Sequence, residues 1–387
     1  MKICFLTATP FLMGGIQRVV LTLANELAKK NEVTITYTFK PDDGSICYPI
    51  DNRIKLDYCT EFHDGSGKYK LQKVIRKFNE NVVSFNSIEL LKNIYYPRNM
   101  QTALIRYIKE NRFDVVIGCA GKYSLLLGIV APELDCTCIG WEHNSFDAYF
   151  ITKGQNSLWR QDKLFESFIP NLKTCVVLSD RDVVDYEKRL NIKARRIYNP
   201  ICIKNCRNEK RDTKTVLFVG RLEYEQKGLH YLAEIINSFL KRHEDWKFEI
   251  VGDGSGKEYL LSEIDNNVAG RVDFAGQQNN VENYYINADI FVLTSKWEGF
   301  GLVAVEAMSF GLPVVSFKTA GPSEIIKDGI NGRLIDCYNV DEFVAAIDEM
   351  DQDKEFLSKL SLEAQKRSND FRVETIMQEW KRVLFDL

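Results

Sequence analysis

Several signals that would assign this chain quickly are missing from it, and each absence removes a class of protein. Its ten cysteines include no C-x-x-C pair. Cys136 and Cys138 are one residue apart, as on one face of a strand, and Cys202 and Cys206 flank a polar loop. That is not zinc spacing, and scattered, mostly strand-embedded thiols point to a reducing cytosol. No apolar run reaches the roughly 18 residues of a membrane-spanning helix. Met1 to Thr7 begins a strand at once, which leaves no room for a signal peptide. No G-x-G-x-x-G follows that strand, so the nicotinamide-cofactor fingerprint is missing. No G-x-S-x-G hydrolase elbow is present. There is no nucleic-acid motif, and a net charge of −3 speaks against nucleic acid as a partner.

What is present reads as a soluble globular chain, 45% hydrophobic and 27% charged. Its 387 residues are too many for one ordinary core, so two domains are expected. Charge is uneven. Residues 1–200 hold 28 Lys/Arg and 22 Asp/Glu, a net of +6; residues 201–387 hold 23 and 32, a net of −9. The halves are therefore expected to face different partners. The strand–helix alternation starts in residues 2–39, where Val19, Val20, Leu23 and Leu27 fall at helical spacing. It restarts at Thr215–Val219. The polar stretch Ile201–Lys214 reads as the linker, and Val340–Ser368 as helical. The expected domains are 1–200, joined by a terminal helix 371–387, and 201–370.

The most informative stretch runs from Thr294 to Val315. It reads as a turn through Lys296–Gly301, a short apolar helix from Leu302, and a strand after Gly311. Glu298 lies in the turn and Glu306 inside the apolar helix. A carboxylate among Val, Ala and Met is costly to bury without hydrogen bonds. One explanation is a buried Lys or Arg partner. The other is a polyhydroxylated ligand, since each carboxylate can accept from vicinal hydroxyls while N–H groups between them take a phosphate. Sugar, phosphate and ribose in a row describe a nucleotide sugar. Upstream, Arg221 and Lys227 follow a strand as Arg-x5-Lys, either as surface cations or as a pair that neutralises a diphosphate.

Glu298-x7-Glu306, with Glu298-Gly-Phe-Gly-Leu302 and Gly311-Leu-Pro-Val-Val315, resembles the signature of the family-4 retaining glycosyltransferases of the GT-B fold. The resemblance covers nearly the whole chain, most strongly from Gly220 to Leu334. It implies an α/β protein of two Rossmann-like domains facing across a cleft, with a C-terminal helix crossing back to the first. It also implies roles: Glu298 on the donor sugar, Glu306 on the ribose, Arg221 and Lys227 on the diphosphate. Amides of Phe300, Gly301 and Leu302 add donors, the loop Gln277–Asn280 holds the base, and Gly254 lines the donor site. Gly14 and Gly15, otherwise a plain turn, lie over the donor phosphates. His143 touches the donor sugar, where a lone His is otherwise most often structural. The donor implied is a UDP-sugar, and no metal or other cofactor is required. Trp141-Glu-His-Asn resembles bacterial members acting on lipid-diphosphate-linked glycans in surface polysaccharide assembly. A GT-B nucleotide-sugar epimerase would share the fold and the nucleotide, but Arg-x5-Lys with Glu-x7-Glu favours the transferase. A non-catalytic nucleotide-sugar-binding subunit would keep the pocket and make no product.

Two further clusters have competing readings. Asp180 and Asp182 look like a metal-binding Asp-x-Asp, but they open a helix, where Asp is an ordinary cap. Residues 68–112 carry ten Lys/Arg and three Asp/Glu, mixed with aromatic and aliphatic residues. A solvated face is one reading. The other is an anionic membrane surface or a polyanionic acceptor, met by Lys70, Lys73, Arg76 and Lys77. That reading places the protein in the cytoplasm, peripherally on the inner face of the cell membrane.

Overall fold

The structure is a computed structural model that describes residues 1–41, 47–62, 70–82, 84–150, 158–201 and 213–385, without the side chains of Lys70 and Asp147. The expected linker lies mostly outside these residues. The chain divides into two compact units, 1–200 with 377–387, and 201–376.

The first unit is built on seven parallel strands: β1 (Lys2–Thr7), β2 (Glu32–Tyr37), β3 (Lys55–Tyr58), β4 (Val115–Cys119), β5 (Thr137–Trp141), β6 (Thr174–Val177) and β7 (Ala194–Arg196). They lie in the order β3-β2-β1-β4-β5-β6-β7. The second has six: β8 (Thr215–Val219), β9 (Lys247–Val251), β10 (Val272–Gly276), β11 (Ile290–Leu293), β12 (Val314–Phe317) and β13 (Gly332–Ile335), in the order β10-β9-β8-β11-β12-β13. Every pair of neighbours is parallel, Ile290 facing Val216 where β11 meets β8. Parallel strands need crossover helices on both faces, so they bury both faces and read as apolar runs. All five residues of β8 and all four of β11 and β12 are buried.

The helical spacing at Val19, Val20, Leu23 and Leu27 is the buried face of the helix Gly15–Ala28. The helix Leu229–Leu240 buries seven side chains the same way, from Leu229 to Leu240. In both sheets the strand order reverses once, between β1 and β4 and between β8 and β11. Ligands of open parallel sheets bind beyond the strand C-termini at that reversal, where the flanking loops diverge.

One expectation is refined and another needs correction. Val340–Ser368 is helical as expected, in two pieces, Val340–Gln352 and Lys354–Ser368. Asp353 between them leaves the helical conformation, and its carboxylate accepts from the N–H groups of Glu355 and Phe356. A cap of this kind restarts a helix, and apolar periodicity does not reveal it. The return to the first unit comes at Met377, not at residue 371. Phe371 is fully buried against Phe300, with ring centres 5.7 Å apart, and Ile201 bridges to Arg372, so the start of that segment is tied to the second unit.

Candidate active site

In the second unit the loops after β8 and β11 are stitched together at the strand reversal. The loop after β8 runs through Arg221 into a short helix, Tyr224–Lys227, which ends at Gly228. Gly228 has φ +59°, and a Cβ there would lie 2.4 Å from the Thr294 carbonyl oxygen. Only glycine allows that conformation together with so close an approach. Across the gap the Thr294 hydroxyl donates to the Lys227 carbonyl at 2.7 Å, and the Lys296 N–H donates to the Gln226 carbonyl at 2.9 Å. Gly252, after β9, packs closer still, since a Cβ would meet the Gly220 oxygen at 1.9 Å.

This framework brings Lys227 against Glu298. Their side chains are ion-paired, only 10% and 12% exposed, and the Ser295 hydroxyl donates to the same Glu298 oxygen at 2.9 Å. Two residues to which the resemblance gives separate duties therefore neutralise each other here. Arg221 is exposed, and among the described residues its guanidinium has no hydrogen bond or ion pair. Gly301 (φ +92°) starts the helix Leu302–Ser309. The N–H groups of Gly301 and Leu302 have no acceptor among the described residues, so the helix leaves them to a ligand or to water. Glu306 is buried, and Oε2 accepts from the Tyr285 hydroxyl at 3.0 Å.

The other expected donor-site residues are less committed. Phe300 is buried in the core rather than presented to solvent. Gly254 packs on Leu222, where a Cβ would lie 2.6 Å from the carbonyl oxygen. Gln277 is exposed after β10. Asn280 accepts from the Glu282 N–H at 2.9 Å, which engages its side-chain oxygen locally.

In the first unit, Gly14 and Gly15 begin a helix after β1, beside the strand reversal, and the Gly14 N–H donates to the Tyr48 hydroxyl at 3.2 Å. His143 follows β5. It is 6% exposed, its ring lies 4.6 Å from that of Trp141, and neither ring nitrogen has a partner among the described residues. Burial holds its pKa down at about 3, so the imidazole is neutral at physiological pH, with one donor and one acceptor nitrogen. Asp182 accepts from the Ser179 hydroxyl at 2.6 Å and the Phe146 N–H at 3.0 Å, while Asp180 pairs with Arg196 at 2.8 Å. Ser179 caps the helix Asp180–Leu190 by accepting the Asp182 N–H at 3.0 Å, so the Asp182 carboxylate is engaged by hydrogen bonds and Asp180 by an ion pair.

The basic segment needs a correction at Arg76. Its side chain is buried: Nε and Nη2 donate to the carbonyls of Ile94 and Tyr95, each at 2.9 Å, closing the C-terminal end of the helix Ile88–Tyr95. An arginine fork satisfies orphan helix carbonyls well, and nothing in the charge count distinguishes this from a surface cation. Lys73 and Lys77 are exposed, and the Lys70 side chain lies outside the described residues. The helix Lys70–Asn81 is inverted: Arg76 and Asn79 face inward, while Leu71, Val74 and Phe78, and Val82 just beyond its end, are 68%, 66%, 47% and 61% exposed.

The model of the family described as Glycosyltransferase Family 4 matches residues 13–204, and that of Glycosyl transferases group 1 matches residues 203–367. The chain belongs to these glycosyltransferases. An uncharacterized 41.2 kDa protein of the cps region in Klebsiella pneumoniae is 35% identical over 356 residues, 85% of this chain and 86% of that one. A Campylobacter jejuni relative is 26% identical over 391 residues, 100% of this chain and 99% of its own. It is named GalNAc-alpha-(1->4)-GalNAc-alpha-(1->3)-diNAcBac-PP-undecaprenol alpha-1,4-N-acetyl-D-galactosaminyltransferase. Among solved structures, HepE of Anabaena in complex with UDP matches with a TM-score of 0.73 at 18% identity, over 100% of both chains. The glycosyltransferase fold is GT-B, as the resemblance implied. Sequence reading missed Ser295, Thr294 and Tyr285, which hold the expected residues in place. Only Ser295, three residues before Glu298, lay near enough in sequence to be found.

Proposed function

We propose that this glycosyltransferase moves a hexose or N-acetylhexosamine, with retention, from a UDP-sugar to a sugar hydroxyl of a lipid-diphosphate-linked glycan in surface polysaccharide or glycan assembly. The reading rests on one observation: Lys227 and Glu298 meet at the reversal between β8 and β11, with the exposed Arg221 on the same loop. In the proposed reaction, the bond from the anomeric carbon to the β-phosphate oxygen breaks as the bond to the acceptor oxygen forms. UDP departs, and its phosphate takes the acceptor proton. Arg221 and Lys227 offset the charge that grows on the diphosphate, and the amides of Gly301 and Leu302 add donors. Glu298 holds sugar hydroxyls and Glu306 the ribose. In the first unit, neutral His143 offers one donor and one acceptor nitrogen to a sugar hydroxyl. With two cations supplied by the chain, no metal is needed.

The names of the relatives support the substrate classes. The Campylobacter enzyme is named for an undecaprenyl-diphosphate-linked acceptor, and HepE binds UDP. The first unit is assigned the acceptor. The inverted helix Lys70–Asn81, apolar outward and flanked by Lys73 and Lys77, is assigned to an anionic membrane surface on the cytoplasmic side, where such acceptors are concentrated.

The deciding experiment is a calorimetric panel of UDP-sugars, followed by UDP release with the tightest binder and a lipid-linked acceptor. A product of the acceptor supports transfer. Donor isomerised without acceptor would instead make this an epimerase, and binding with no product would make it a non-catalytic subunit. Activity that is lost in excess EDTA and returns with Mg²⁺ would overturn metal independence.

A further inference from the structure

Behind His143 lies a buried polar group that the proposed reaction does not use. Glu142 is fully buried, and its Oε2 accepts from the Tyr149 hydroxyl at 2.8 Å. The same hydroxyl accepts the Gly121 N–H at 3.1 Å and the His143 N–H at 3.4 Å. A phenol has one proton to give and two lone pairs. Both lone pairs are needed by the two N–H groups, so the proton must point at Glu142. Gly121 begins the helix after β4, and His143 follows β5. One hydroxyl therefore ties the C-terminal ends of two adjacent strands. The fit is tight: a Cβ on Gly121 would lie 3.1 Å from the Tyr149 ring. The other Glu142 oxygen has no hydrogen bond, because the nearby Ser124 hydroxyl donates to the Gly118 carbonyl at 2.9 Å instead.

We propose that Glu142 and Tyr149 are a positioning pair for His143: Glu142 aims the Tyr149 hydroxyl, and that hydroxyl holds the His143 backbone against Gly121. What His143 then does rests on the function proposed above. Burial pushes the Glu142 carboxyl up to about 7, against the lowering effect of the Tyr149 hydroxyl. The titratable groups facing it are Tyr149, Asp182, Tyr186, Cys119 and Cys175, none a cation. An ionised carboxylate is the stronger acceptor. The pair thus tightens as pH rises through about 7 and loosens below it.

The test compares the full-length chain with Tyr149→Phe and Glu142→Gln. Amide hydrogen exchange is read on peptides spanning Gly121 and His143, beside UDP release from UDP-glucose with water as acceptor. Losing one such bond is worth roughly tenfold. Tyr149→Phe should therefore speed exchange at both peptides about tenfold, with the other strands unchanged, and lower kcat while UDP affinity stays. Glu142→Gln keeps an acceptor oxygen. It should retain protection but abolish the step near pH 7 in both exchange and kcat. Protection unchanged in Tyr149→Phe would overturn the proposal, as would a wild-type pH step in Glu142→Gln. If Tyr149→Phe does not fold, the pH profile of Glu142→Gln decides alone. A wild-type chain that binds no UDP would retire the glycosyl-transfer reading, and the exchange data would still judge the pair.

Discussion

The ion pair between Lys227 and Glu298 gives the two residues opposite mutational signatures. In the free chain Glu298 holds the cation that the leaving diphosphate is proposed to need. Glu298→Gln keeps the shape and releases Lys227. We expect UDP to bind at least as tightly to that variant, while sugar transfer falls by about 10²–10³. Lys227→Ala should lose both, with UDP affinity down roughly 10-fold or more for one charged hydrogen bond. Calorimetry with UDP and steady-state UDP release separate the two. Equal losses of UDP affinity in both variants would sink the assignment. Glu142 carries a second prediction at this scale. Its carboxyl titrates near 7 in the folded chain against an ordinary 4.5, so the folded state holds a proton that the unfolded state has released. Its contribution is full below about pH 4.5 and is lost as pH rises through 7. Glu142→Gln escapes that loss, so its stability relative to the native chain should rise between pH 5 and 8, by on the order of 3 kcal/mol. Denaturant melts at the two pH values check it.

At the scale of elements, the helix Lys70–Asn81 is amphipathic in the wrong sense for a plain core, and the helix Leu302–Ser309 is mostly buried and apolar but for one carboxylate. The first exposes Leu71, Val74 and Phe78, with Val82 just beyond its end, beside Lys73 and Lys77. Cations near an anionic leaflet contribute about 1 kcal/mol each, and buried apolar side chains add to this. Co-sedimentation with anionic, acceptor-free liposomes should therefore fall with salt, and fall further in Val74→Asp or in Lys73→Glu with Lys77→Glu. Arg76→Ala should instead lower stability, because it orphans the Ile94 and Tyr95 carbonyls. If the charge-reversed protein keeps its liposome binding but shows a raised acceptor KM, the cations grip the acceptor's diphosphate. The second helix buries Glu306 in an apolar run. Glu306→Ala leaves the Tyr285 hydroxyl without that acceptor and removes the proposed ribose contact. UDP affinity should drop, by about 1.5–3 kcal/mol for a charged hydrogen bond. An unchanged UDP affinity in the folded variant would remove Glu306 from the donor site.

At the scale of the whole molecule, the last residues complete the first unit. Trp380 is fully buried, its ring 4.9 Å from Trp141 and edge-on to it. Trp380→Ala should cost about 3–5 kcal/mol, read as an earlier unfolding transition of the first unit. Because Trp141 lies two residues before His143, transfer should weaken too, with UDP affinity retained. A melt unchanged from the native chain would show that the terminal helix does not support that unit.

Much of this architecture is legible in the order of residues alone. Short, mostly apolar runs bounded by turn residues, such as Thr215–Val219, read as strands buried on both faces, and the 3.6-residue spacing at Val19–Leu27 reads as one buried helical face. Glu298-x7-Glu306 and Arg-x5-Lys stand out because carboxylates and cations beside glycine turns are costly unless they are used. Periodicity is blind to three things that the folded chain decided. A cap such as Asp353 acts through one side chain, not through a pattern. The inward turn of Arg76 depends on carbonyls that lie 18 and 19 residues away. The meeting of Lys227 with Glu298, 71 residues apart, and of Tyr149 with Gly121, 28 apart, depends on strand order. Local sequence sets which face of each element is apolar. Which polar groups then share one hydrogen bond is set by where parallel strands place their C-terminal loops, and that is a property of the sheet.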